Sequence, residues 1–437
     1  MAWVRSPPHL SHLLEQLLDV KALYGTKQAG RNWYLLLDSF LKGLGFTANK
    51  ADHCFYTLII NDIDFVLLLL YVDDIIIAAT TENLVREYRE IIGTRFRNSH
   101  SGSLTSYLNI EIERDRDART ISLGQQRFIE DMNLQFRIPI DTSVVIPMQE
   151  NLKLLATEEE NVTDKQLQYV KNFPYRRLVG VIIYLNACTR PTVSYAISIL
   201  ASFNANPTFL ACKALVRLAQ FLYNTREDKL TLGGFGLPML TSFCDSDWGG
   251  CINTRYSRSG HIVFMGNGPV TWYSKRQTNC AQSSAEAEFM ALAPCIQNSN
   301  FVRRIVNCAC IPDIKYRLAS GVFSDNEASI AIASNPVFHQ RTKHISIKYQ
   351  YVNENVESGN AALGFVRSRY NFADMMTKPV GRNIFGDHYE YNMGGLPIPR
   401  VQNLTKTLRD DTLPCPHCSY GLLGKDHQLE GEYQDLF

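Results

Sequence analysis

The chain has 437 residues, 45% hydrophobic and 20% charged, with 44 Lys and Arg against 43 Asp and Glu and a formal net charge of +1. That length suggests roughly two to four domains of about 100 to 200 residues. The balanced charge excludes a globally basic or acidic binder, so any nucleic-acid surface is a local patch. Eleven irregularly spaced cysteines do not read as a disulfide framework. The N-terminus "MAWVRSPPHLSHLLEQ" lacks a signal-peptide pattern. The most apolar stretch is broken by Asp73 and Asp74, so no membrane span is expected. These features predict an intracellular protein, cytoplasmic or nuclear.

In chain order, residues 21–46 open on a Gly turn and carry Trp33, Leu36, Leu37, Phe40, Leu41 and Leu44 at helical spacing, ended by Gly45. The apolar segments "CFYTLII", "FVLLLLYV" and "IIIAA" follow and predict hairpins of a buried antiparallel sheet, with Asp73 and Asp74 at a tip. A charged helix over 82–97 leads to the strand-like "SYLNIEIERD" and "RTISLGQ". Residues 141–175, rich in Glu, Asn and Thr, read as a linker loop, and two helical segments around Pro191 and Pro207 make a middle block.

Beyond it, "MLTSFCDSDW", "SGHIVFMGNG" and "PVTWYSKRQT" predict a three-strand meander. A helix at about 284–307, the strand "RLASGVFSDN", two helices, the strand "AALGFVRS" and a helix at "FADMMTK" complete a β-β-β-α-β-α-β-α order, which predicts a mixed sheet flanked by helices. The fold class is therefore multidomain α/β and α+β. The residues after about 386 are expected to be poorly ordered.

Two adjacent carboxylates walled by Leu and Ile repel each other unless a cation neutralises them, and Mg²⁺ takes such hard oxygen ligands. The alternative is a plain turn of exposed aspartates. "YVDD" between long apolar segments resembles the catalytic hairpin of reverse transcriptases, and "KALYGTKQAGRNWY" resembles the segment before it in copia-type LTR-retrotransposon Pol polyproteins. "YRRLVGVIIYLNACTRP" is similar to the family's connecting region. "CDSDWGGCINTRYSRSGHIVFMG", "SSAEAEFMALA", "FSDNEASIAIASNPVFHQRTKHISIKYQYV" and "NFADMMTKPV" are similar to its ribonuclease H domain.

The residues of the second half carry a related chemistry. Asp245 ends a strand, Glu288 lies in a helix lined by Phe289, Leu292 and Ile296, Asp325 ends a strand and Asp374 begins a helix. Acids so placed can converge at one sheet edge. Asp247 competes with Asp245 and Glu286 with Glu288, while Asp325 and Asp374 could instead be turn or N-cap residues. Periodicity does not separate Glu286 from Glu288. The resemblance favours Asp245, Glu288, Asp325 and Asp374 as a ribonuclease H site, and Asp73 and Asp74 as polymerase residues. It implies two Mg²⁺ ions per site, with Mn²⁺ as the substitute.

The implied partners are an RNA–DNA hybrid and a primer–template. Lys27 and Gln28 of the upstream motif, Arg255, Arg258, Lys275 and Arg276 near the meander, and Arg341, Lys343 and His344 later are the expected nucleic-acid contacts. Ser257 and Ser259 belong to the family motif without an assigned role. Cys415 and Cys418 form "CPHC", but a tetrahedral zinc site needs four ligands and no second pair follows.

A reverse-transcriptase palm also needs a third carboxylate from an earlier strand. Asp19 in "LDVK" is the candidate, yet it runs directly into "ALYG" where the family places a long segment. The expected organisation is a palm and thumb over 1–140 lacking fingers and first catalytic strand, a linker and connection over 141–236, a ribonuclease H-like domain over 237–385 and a tail over 386–437. The expected function is hydrolysis of RNA in hybrids, with polymerase activity lost or impaired. The alternative is a degraded or repurposed product that only binds nucleic acid.

Overall fold

The structure, a computed structural model, describes residues 2–5, 27–96, 99–157, 162–234, 240–311, 320–334 and 346–396. Near the N-terminus, strand β1 (Ala2–Arg5) is followed by helix α1 (Lys27–Gly43). The apolar stripe of α1 buries Leu37 and Leu41 completely, and each such side chain contributes about 2 kcal/mol when it leaves water. Gly45, at φ +92°, ends the helix by turning the chain so that Phe46 N–H reaches the Leu41 carbonyl at 3.0 Å.

Strands β2 (Thr47–Ala48), β3 (Phe55–Ile60), β4 (Asp64–Tyr71) and β5 (Asp74–Ala79) then form antiparallel hairpins. Alternation along β4 sends Val66, Leu68 and Leu70 into the core and leaves Leu69 and Tyr71 exposed. Helix α2 (Glu82–Arg95) starts on a Thr81 cap and buries Val85 and Ile92. With β6 (Ser99–Ser103) the strand order is β2-β3-β4-β5-β1-β6, so β1 fills the sheet between β5 and β6.

A second sheet combines β7 (Ser106–Tyr107), β8 (Ile110–Asp115) and β9 (Thr120–Gly124) with a strand more than 100 residues later, as described below. Helix α3 (Gln126–Phe136) follows. The stretch expected to be a loop contains helix α4 (Asp164–Asn172), nucleated by a reciprocal capping box between Thr163 and Gln166. Helices α5 (Tyr175–Cys188), α6 (Ser194–Ala201) and α7 (Phe209–Asn224) make the middle block. Strand β10 (Leu230–Gly233) then returns to pair with β9.

The third sheet holds β11 (Leu240–Asp247), β12 (Arg258–Met265) and β13 (Gly268–Arg276) as an antiparallel meander. Helix α8 (Ser284–Cys308) leads to β14 (Ser320–Ser324), helices α9 (Glu327–Ser334) and α10 (Ser346–Glu357), and β15 (Ala361–Phe365). The order is β13-β12-β11-β14-β15, with β14 parallel to both β11 and β15. Both faces are covered. Cys244 and Val322 face a core with Phe289, Leu292, Tyr349 and Val352 of α8 and α10. Phe243, Ile262, Phe264 and Phe323 face the opposite way, into one core with the middle helices.

Two short helices close the described chain. Helix α11 (Asp374–Thr377) follows the buried Phe372, and α12 (Arg382–Asn392) runs across residue 386, where the sequence suggested that order would end. The helix persists because Phe385, His388 and Asn392 are buried, and Asn392 donates to the Phe372 carbonyl at 3.1 Å. The first sheet also touches the C-terminal unit: the buried Asn49 side chain donates to the Ile305 carbonyl of α8 at 2.8 Å. Asp19 and the "CPHC" cysteines lie outside the described residues.

Candidate active site

Two groups of acids stand out. In the first, Val72 and Asp73 form the two-residue turn between β4 and β5, with Tyr71 paired to Asp74. Val72 has φ +54°, a left-handed conformation that costs a β-branched residue about 1–3 kcal/mol. Its carbonyl accepts the Trp33 indole N–H at 2.7 Å, so α1 clamps the strained turn. Asp73 is exposed, whereas Asp74 opens β5 and is 9% exposed. Burial, followed by the charges of Asp74, Tyr71 and Asp73, raises the pKa of the nearby Tyr107 hydroxyl. On the neighbouring strand, the residue paired with Asp74 is Arg5, and Ala2–Arg5 contains no carboxylate.

The second group gathers at one end of the third sheet. Asp245 near the end of β11, Glu288 in the second turn of α8 and Asp325 just after β14 each offer a carboxylate oxygen, all within 4.8 Å of one another. The β11 strand continues two residues past Asp245, to Asp247. Asp374 is not one of these three; its carboxylate lies 3.1 Å from the Lys378 ammonium, which also lies 3.7 Å from Asp245.

Local hydrogen bonds hold the group together. Ser246 N–H donates to Glu288 at 3.1 Å, Ser368 hydroxyl to Asp325 at 2.6 Å, and Asn371 amide to Asp325 at 3.3 Å. The Thr377 hydroxyl donates to Asp245. One Glu288 oxygen, Oε2, is buried without a hydrogen-bond partner. Burial, with the charges of Asp245 and Asp325, pushes the Glu288 pKa up to about 10. Burial and Asp245 likewise push Asp374 up to about 7. Burial opposes the Lys378 charge, but Asp245 and Asp374 outweigh that and raise its pKa. A buried carboxylate with an orphaned oxygen among other acids is a fitting ligand set for a hard divalent cation.

Glu286 and Glu288 separate by direction. Ser283 caps α8 by accepting from Glu286 N–H, and the Glu286 carboxylate accepts from Gln282 N–H at 2.8 Å, while Glu288 points into the acidic group. The serines left unassigned by sequence are structural: Ser257 hydroxyl accepts from Gly249 N–H at 3.1 Å, and Ser259 hydroxyl accepts from Gln277 at 2.9 Å. Gln277, which sequence reading missed, also donates to Ser246 and to the Ala287 carbonyl, tying β11, β12 and α8 together behind the acids. Thr377 and Lys378 were missed too, although the i,i+4 spacing of Asp374 and Lys378 is a usable signal.

Gly260 sits opposite Asp245 in the β11–β12 register. A Cβ there would lie 2.5 Å from Met376 Cβ and 2.7 Å from Thr377 Cγ2, so a glycine is what lets α11 lie against the strand. Gly260→Val is expected to displace α11, costing roughly 1–3 kcal/mol as overpacking does. Denaturant unfolding of the variant, with Mn²⁺ titration alongside, should show lower stability and weaker metal binding.

Among the expected nucleic-acid contacts, Arg255, Lys275 and Arg276 are exposed, and Gln28 is exposed on α1, which Lys27 begins. Arg258 must be corrected. It is 6% exposed, donates to Ser198 at 2.6 Å and stacks over Tyr195 at 5.6 Å. Its charge is enclosed between β12 and α6, out of reach of a phosphate backbone. Arg341, Lys343 and His344 lie outside the described residues.

No helix among the described residues is long and apolar enough to cross a membrane. Residues 15–150 match the family described as reverse transcriptase (RNA-dependent DNA polymerase). The chain is 30% identical over 365 residues to the retrovirus-related Pol polyprotein from transposon TNT 1-94 of Nicotiana tabacum, covering 84% of this chain and 27% of that polyprotein. It is 32% identical over 367 residues to the Pol polyprotein from transposon RE1 of Arabidopsis thaliana, covering 84% of this chain and 24% of the relative. The match to transposon RE2 of the same plant is 29% over 381 residues, 87% of this chain and 25% of the relative. The chain thus spans about a quarter of the length of these relatives. The reverse-transcriptase match over residues 15–150 and the Pol similarity along most of the chain support a copia-type retrotransposon Pol fragment.

Proposed function

We propose that the C-terminal unit is a ribonuclease H-like, divalent-cation-dependent hydrolase that cuts the RNA strand of RNA–DNA hybrids. The convergence of Asp245, Glu288 and Asp325 within 4.8 Å at one sheet end carries this reading. A meander joined to two parallel strands supports the ribonuclease H-like assignment. Asp245, Glu288 and Asp325, with Asp374 beside them, would hold Mg²⁺ or Mn²⁺, which when bound stabilises the charge that develops on the phosphodiester and leaving oxygen.

The chain's own residues do the rest. Ser368 and Asn371 fix the Asp325 carboxylate, Ser246 N–H fixes Glu288, and Thr377 fixes Asp245. Lys275 and Arg276 on β13 and Arg255 in the loop between β11 and β12 offer exposed cations for phosphates, while the 2′-hydroxyls of RNA supply the contrast with DNA.

The same reading assigns little or no polymerase activity to the Asp73–Asp74 hairpin. A two-metal polymerase needs an acid beside the pair; among the described residues the adjoining strand Ala2–Arg5 brings none, and Asp19 lies outside them. Paired assays in Mg²⁺ test both halves. Labelled RNA in a hybrid should be cleaved, while extension of a primed RNA template should be absent or very weak. Robust extension would contradict the polymerase reading, and intact hybrid with a folded protein would contradict the nuclease reading.

A further inference from the structure

The acidic group has two sides. On one, Asp245, Glu288 and Asp325 each bring a carboxylate oxygen within 4.8 Å of the others. On the other, Asp245 and Asp374 share the Lys378 ammonium, at 3.7 and 3.1 Å. The lysine is half-buried and placed by backbone: its N–H bonds the Asp374 carbonyl at 3.2 Å where α11 ends, and Gly260 lets that helix lie against β12. A divalent ion bridging Asp245 and Asp374 and this ammonium would compete for the same two carboxylates.

We propose that Lys378 is a tethered competitor for one of two cation positions. The three-acid side takes the first divalent ion, and a second enters between Asp245 and Asp374 only by displacing the ammonium. The proposal rests on reading the cluster as a metal site. It makes the second ion conditional, so that nucleic-acid phosphates drawing Lys378 away would favour its entry.

Calorimetric titration of the full chain with Mn²⁺ alone, after chelation of resident metal, tests this without reference to activity. Wild-type protein is expected to bind one ion at least about tenfold more tightly than a second. Lys378→Met should tighten the second ion about tenfold or more, and Lys378→Arg, which keeps the charge, should behave as wild type. Unchanged binding in folded Lys378→Met would overturn the proposal. If that variant does not fold, two ions of equal affinity in wild-type protein would overturn it instead. Asp325→Asn separates the underlying reading: if it leaves the tight ion in place, the site assignment itself fails. If it abolishes the tight ion while Lys378→Met changes nothing, only the role of Lys378 fails.

Discussion

Glu288→Gln is expected to abolish hybrid cleavage, lowering the rate by at least about a thousandfold, while stabilising the metal-free protein at neutral and alkaline pH. Glu288 is buried, with a pKa raised to about 10 from an ordinary carboxyl value of 4.5. The folded state therefore holds a proton that the unfolded chain has released between those values. Stability is fully present below about pH 4.5 and falls as pH rises toward 10. The penalty at pH 7 has a ceiling of about 3 kcal/mol. Gln keeps the shape and removes the titration, so denaturant unfolding with EDTA should show a flatter pH profile for the variant. Adding Mn²⁺ should restabilise wild type and leave Glu288→Gln nearly unchanged. Identical pH profiles for the two proteins would contradict this description of the site.

The second large effect concerns packing rather than charge. Phe372 is fully buried two residues before Asp374, with its ring 5.0 Å from Phe243, 5.2 Å from His388 and 4.6 Å from Tyr391. These aromatics join the third sheet to α12 and fix the approach to α11. Phe372→Ala should cost about 3–5 kcal/mol, as truncation of a buried aromatic does. Because Asn371, Asp374 and Lys378 all lie within six residues of Phe372 in the chain, metal affinity should fall together with stability. A chain of this size need not unfold in one step, so the effect should be read in the transition that includes the C-terminal unit. Lost stability with unchanged Mn²⁺ affinity would mean that the ring supports the core but does not position the acids.

Much of this architecture was legible in the sequence because the signals were local. Alternation in "FVLLLLYV" gives β4 its inward Val66, Leu68 and Leu70, and Asp325 follows the end of β14 while Asp374 begins α11. What escaped depended on three-dimensional partners. Helix α4 hides in a polar stretch whose composition suggests a loop, and only the Thr163–Gln166 pairing reveals its start. The choice between Glu286 and Glu288 is invisible to periodicity, since both have apolar neighbours one turn away. It becomes clear once Ser283 and Gln282 engage Glu286. Arg258 read as one cation among several, yet α6 folds over it. Gln277 gave no strong sequence signal because its bonds run to Ser246, Ser259 and Ala287, on other elements; for Lys378 the local spacing to Asp374 was visible, but the pairing with the distant Asp245 was not.

The most direct test of the central claim is single-turnover incubation of the full chain with an RNA–DNA hybrid labelled on the RNA strand, in Mg²⁺, beside Asp325→Asn. The wild-type chain should cut the RNA strand internally to leave 3′-hydroxyl and 5′-phosphate ends, spare single-stranded RNA, and lose this activity in Asp325→Asn. A folded wild-type chain that leaves the hybrid intact, or cleavage that survives Asp325→Asn, would contradict it.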